Sequence, residues 1–92
     1  MADFEATHRQ ALERGARAKR ILDDPYFSEK ITSLKNMALA DFIQSSAGPE
    51  GDLARQDAHW RVFVIEQLLG LFRTDIQNAE IAQIELEKLR SK

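Results

Sequence analysis

The chain has 92 residues, 43% apolar and 30% charged, with a net charge of -2 and no cysteine. That composition is foldable rather than disordered; it excludes disulfides and thiolate metal sites and argues against a free-standing nucleic-acid binder, a class that is usually basic. No apolar run approaches the roughly 18 residues of a membrane span, and the opening MADFEATHRQ is acidic and polar, unlike a secretory signal, so a cytoplasmic protein is expected.

Helix breakers cut the chain twice, at Asp23-Asp24-Pro25 and at Ser45-Ser46-Ala47-Gly48-Pro49-Glu50-Gly51, which predicts three helices in one domain over 1–92. The first is expected over 3–22, with Asp3 as N-cap and a thin apolar stripe of Phe4, Ala11, Leu12, Ala18, Ile21 and Leu22. Gly15 interrupts it at a cost of about 1 kcal/mol relative to alanine. The second is expected over 25–44, with Asp24 as N-cap and Pro25 at the first helical position. Its apolar face steps by four and three through Phe27, Ile31, Leu34, Ala38 and Phe42, and Met37 and Ile43 widen it. After a loop at 45–51, the third is expected over 52–90, starting at Asp52. Ile65, Leu68, Phe72, Ile76, Ala79, Ala82, Leu86 and Leu89 form a near-heptad stripe along it, with Leu53, Trp60, Val64 and Leu71 as a second apolar edge. Phe63, Leu69, Ile81 and Ile84 lie off the first stripe.

The fold class this implies is all-α: an antiparallel helical hairpin with a long coiled-coil-like C-terminal helix and an additional N-terminal helix. The second helix is about half as long as the third, so it covers only the part from Leu53 to Phe72. Phe27, Ile31, Leu34, Phe42, Trp60, Val64, Leu68, Leu71 and Phe72 are the expected core within the chain. Ile76, Ala79, Ala82, Leu86 and Leu89 are left without a partner unless the first helix reaches back. They are the expected contact of a homo-oligomer, which would also relieve the marginal core of so short a chain.

No residue constellation announces chemistry. His59 lies next to Trp60 with no paired base or nucleophile nearby in sequence, and His8 has only Glu5 or Glu13 at helical spacing. Glu80, Glu85 and Glu87 flank the apolar stripe as register-setting charges do. Gly48 and Gly51 suit a turn rather than a phosphate loop. An enzyme, a cofactor, a metal and a small-molecule substrate are therefore not expected. The basic run of Arg9, Arg14, Arg17, Lys19 and Arg20 could meet phosphates, although ordinary solvation and salt-bridging with Glu13, Asp23 and Asp24 account for it as well. The helix before Pro25 is too short to hold a helix-turn-helix.

The run Arg17-Ala18-Lys19-Arg20-Ile21-Leu22-Asp23-Asp24-Pro25-Tyr26-Phe27 and the later Asp57-Ala58-His59-Trp60-Arg61, followed by the long apolar helix, resemble short helical proteins encoded in tailed-phage and prophage morphogenesis regions. Some of these act as small terminase subunits. The resemblance covers about residues 14–90. It implies a non-enzymatic packaging factor: a ring built from helical hairpins that recognises phage DNA and controls the large terminase motor in the host cytoplasm. The chain departs from that pattern in lacking a separate DNA-binding domain. DNA contact would then fall to Arg9, Arg14, Arg17, Lys19 and Arg20, with Lys30 or Lys35 as additions. Two other readings are compatible with the same pattern: a structural or adaptor coiled-coil protein of a virion or scaffold, and a small helical inhibitor that docks on a host protein.

Overall fold

The computed structural model describes residues 2–91, with the side chains of residues 2 and 3 outside the described part. The described residues form three helices, α1 (Ala2–Asp23), α2 (Pro25–Gln44) and α3 (Pro49–Arg90), and no strand. The fold is all-α. Helix α1 already begins at Ala2, so Asp3, expected as its cap, lies inside the helix, and its side chain is outside the described residues.

Asp24 alone separates α1 from α2. Its amide donates to the Ile21 carbonyl at 3.2 Å, and Pro25, which has no N–H to satisfy, opens α2 as a proline at that position does. The end of α2 is closed by Ser45, whose hydroxyl donates to the Phe42 carbonyl at 2.6 Å.

Helix α3 begins at Pro49 rather than at the expected Asp52, and the loop shrinks accordingly to residues 45–48. The Asp52 amide donates to the Gly48 carbonyl at 3.0 Å, closing the first turn. Gly48 has φ 98°, a conformation open to glycine and strained for other residues. The run Gly48-Pro49-Glu50-Gly51 thus reads in part as a start signal, with proline in the first turn. Asp52 sits inside that turn, where its charge favours the positive end of the helix, and pairs with Arg55. Arg55 reaches back to the Ser45 hydroxyl (3.2 Å) and the Ser46 carbonyl (3.0 Å), tying the loop to the helix. Gly51 is buried under that returning loop, and a Cβ there would overlap the Ser46 carbonyl group.

The chain divides into two compact units where the sequence suggests one domain: α1 with α3 from Gly70 onward, and α2 with α3 up to Leu69. In the α2 unit, Lys35 pairs with Glu66 at 2.5 Å and Asp41 with Arg61 at 2.8 Å. The partner numbers fall on α3 as they rise on α2, so these two helix segments run in opposite directions. Ala38 and Ala58, 1% and 2% exposed, occupy the seam together with Leu69.

In the α1 unit the seam is again made of small residues. Ala18 and Ala82 are 2% and 3% exposed, and a Cβ added to Gly15 would overlap that of Ala79 and stand 3.0 Å from the Asp75 carbonyl. Small side chains let two helix backbones approach closely. Helix α1 therefore covers the stripe expected to meet another copy. Ala82 is buried within the chain, Ile76, Ala79 and Leu86 are half-buried, and of the five expected contact residues Leu89 alone is classed as exposed. Matching α2 alone against α3 leaves that stripe bare. The 22 residues of α1 match the remaining segment, 70–90.

The expected core is corrected as well. Phe27, Ile31 and Phe72 are half-buried, but Leu34, Phe42, Trp60, Val64, Leu68 and Leu71 are exposed. A pair of helices has a single inward seam. Once alanines fill it, larger side chains stand on its flanks or on the far side of α3, where the unit has no third helix to cover them.

Candidate functional site

The apolar side chains left uncovered in the α2 unit form two separate faces. At 100° per residue, Leu34 and Met37 lie on one side of the seam residues Phe27, Ile31 and Ala38, while Leu39 and Ile43 lie on the other. On the first side, Leu34 and Met37 join Trp60, Arg61, Val64 and Ile65 around a groove of 340 Å³. Leu34, Trp60 and Val64 remain 50%, 58% and 63% exposed. On the second side, Leu39, Phe42, His59 and Val62 line a groove of 260 Å³ with Ala38 and Ala58. The Trp60 ring stands edge-on to Phe63, centroids 5.4 Å apart, on the outer ridge of α3.

On each face a basic side chain is already matched by acidic partners inside the chain. On the first side Arg61 bridges Asp41 (2.8 Å) and Asp57 (3.1 Å), and the hydrogen bond to Asp41 is the main reason its pKa is raised above the ordinary arginine value. On the second side Lys35 meets Glu66. What these faces offer an incoming partner is therefore mainly apolar.

The five basic residues singled out in the sequence are all on α1 and all exposed. Arg9, Arg17 and Arg20 share the helix face turned away from the seam, with Glu13 among them, while Arg14 and Lys19 sit on opposite flanks. They are not one uninterrupted cluster. Arg9 is 3.9 Å from Glu5, and Lys19 and Arg20 border Asp23 and Asp24. Lys19 also lines a groove of the α1 unit with Gly15, Ala16, Leu22, Ile76 and Ala79.

The remaining candidates have local roles. The His8 ring nitrogen is 2.7 Å from the Phe4 carbonyl of its own helix. His59 packs edge-on to Trp60 with centroids 6.0 Å apart. Glu85 pairs with Lys88 at 3.8 Å, and Glu87 accepts a hydrogen bond from Gln83 at 3.1 Å. Among the described residues no group of three or more His, Asp or Glu is placed to hold a metal ion, and no helix is long and apolar enough to cross a membrane. Leu39 was not anticipated as part of a surface. Its position on the wheel, roughly opposite Met37, was the available signal. No family model, curated protein or solved structure matches the chain.

Proposed function

We propose that the chain is a non-enzymatic assembly subunit: it builds a homo-oligomer through the apolar faces of its α2 unit and presents α1 to an acidic partner. The observation that carries this reading is the exposed surface. In the α2 unit Leu34, Met37, Trp60 and Val64 line one groove and are 50%, 61%, 58% and 63% exposed, and contiguous exposed apolar side chains of this kind mark interaction sites.

The acidic partner proposed is phage DNA. The sequence resemblance over 14–90 supports this, as do the outward Arg9, Arg17 and Arg20 and the flanking Arg14 and Lys19. In this reading the oligomer serves packaging in the bacterial cytoplasm as a small terminase subunit does, alongside a large terminase subunit. Arginine and lysine contacts to phosphate release counterions, so the affinity falls steeply with salt.

Light scattering behind a sizing column tests assembly first, and a monomer at 100 µM would refute it. Retention of duplex DNA at 50 and 200 mM salt tests the partner. The expected result is binding that weakens at the higher salt and is lost when Arg14, Arg17 and Arg20 are all changed to Glu. An oligomer with no DNA affinity at either salt would leave a structural or adaptor component as the function.

A further inference from the structure

We infer that two copies of this chain pair about a two-fold axis through the face carrying Leu34, Met37, Trp60 and Val64, with α2 of one copy antiparallel to α2 of the other. This rests on the assembly reading above and specifies the partner and the symmetry of one contact.

The ion pairs inside the α2 unit set the levels. Lys35 meets Glu66 and Asp41 meets Arg61, so Leu34 stands level with Leu68, Met37 with Val64 and Asp41 with Trp60. The uncovered apolar face therefore runs from Leu34 and Leu68 at one end to Trp60 at the other, and Met37 and Val64 mark its middle. Both are more than half exposed. At 100° per residue they lie about a quarter to a third of a turn from the seam residues Ala38 and Ala58.

The two ends of this face carry opposite charge. Lys30 lies one turn beyond Leu34. Its ammonium stands 5.1 Å from the centre of the Tyr26 ring, a contact that leaves its charge in place. At the other end one guanidinium, that of Arg61, serves two carboxylates, Asp41 and Asp57, which leaves one negative charge over. Lys30 precedes Met37 by seven residues on α2, and Asp57 precedes Val64 by seven on α3. The helix segments are antiparallel, so the two charges stand on opposite sides of the middle, each about 10 Å from it at 1.5 Å per residue.

That arrangement is complementary to its own reversed copy. A two-fold axis crossing the helices at the level of Met37 and Val64 reverses the direction of the face. The cationic end of each copy then meets the acidic end of the other, and the middle residues meet their own counterparts. An axis parallel to the helices would bring like-charged ends together. The contact is isologous, so it closes at two copies.

The test uses the full chain, which has no cysteine, so a single introduced thiol reports on its own counterpart. Met37→Cys and Val64→Cys alter exposed side chains and leave the seam unchanged; circular dichroism checks that the helices persist. A short bismaleimide is expected to link each variant into a covalent pair of twice the 10.5 kDa chain mass, and not to link Leu39→Cys on the other side of the seam. Lys30→Glu is expected to weaken the pair about tenfold by setting like charges together at both ends, and Asp57→Lys added to it is expected to restore the affinity. If the unmodified chain assembles but neither middle thiol is linked, or Leu39→Cys is linked as readily, the contact is not this two-fold one and the assembly reading stands without it. Linking at the middle with no weakening by Lys30→Glu overturns the antiparallel orientation. A monomeric unmodified chain in light scattering removes the assembly reading and this inference with it.

Discussion

Gly15→Ala separates a purely local account of α1 from one in which the helix is packed. On an isolated helix, replacing an interior glycine by alanine gains about 1 kcal/mol. In the structure the new methyl group would overlap the Ala79 side chain and stand 3.0 Å from the Asp75 carbonyl. Part of that obstacle is backbone, which cannot swing away as the end of a flexible side chain can. Inserting a methyl group into a closed seam costs about 1–3 kcal/mol. Taking the middle of that range and subtracting the propensity gain leaves a net loss of about 1 kcal/mol, equivalent to a fall in Tm of about 4–8 °C for a chain of this size. Thermal unfolding followed by circular dichroism at one fixed protein concentration reads this directly. Ala79→Gly in the same chain supplies a control, because it removes the opposing methyl group and should make Gly15→Ala less harmful. A rise in Tm with Gly15→Ala alone would refute the packing of α1 against the 75–79 segment and would return Ile76, Ala79 and Ala82 to the surface.

Gly51→Ala should destabilise more, by about 2 kcal/mol or above, since the new methyl group overlaps the carbonyl oxygen and carbon of Ser46, both backbone atoms; urea unfolding measures it. Ala38→Leu, which places a large side chain in the α2–α3 seam where alanine is 1% exposed, should cost about 1–3 kcal/mol and loosen tertiary packing before it affects helix content; an unchanged midpoint would mean that the seam is wider than described. Asp41→Asn should change stability by less than about 1 kcal/mol, because the Arg61 pair is exposed to solvent and screened; a larger loss would show that the pair is enclosed in the assembled protein. Arg17→Glu with Arg20→Glu should leave thermal stability within about 0.5 kcal/mol, as both side chains are exposed, so that any loss of DNA retention reports contact rather than unfolding.

Helix placement was largely legible, because it depends on local rules. Pro25 after Asp24 announced the start of α2, and apolar steps of three and four carried α2 and α3 to Gln44 and Arg90. The sequence pattern places the start of α3 at Asp52, three residues late, because Gly48, Pro49 and Gly51 count as breakers in composition. Their order, with glycine before proline and the second glycine under Ser46, makes them the opening turn of a helix.

Which residues those helices hide was decided by tertiary contact. Periodicity assigns an apolar side chain to a face but does not say whether a partner covers it, and size misleads when the seam is narrow. Trp60 and Val64 have the hydrophobicity of a core and stand exposed, while Ala18, Ala38, Ala58 and Ala82 are buried. From its own pattern the sequence determined three amphipathic helices, the position of two breaks and a basic first helix. The pairing of α1 with the far end of α3 came only with the structure, because it depends on a close approach at Gly15 and Ala79 between segments remote in the chain. That approach is a matter of backbone separation, which no single helix carries in its own periodicity.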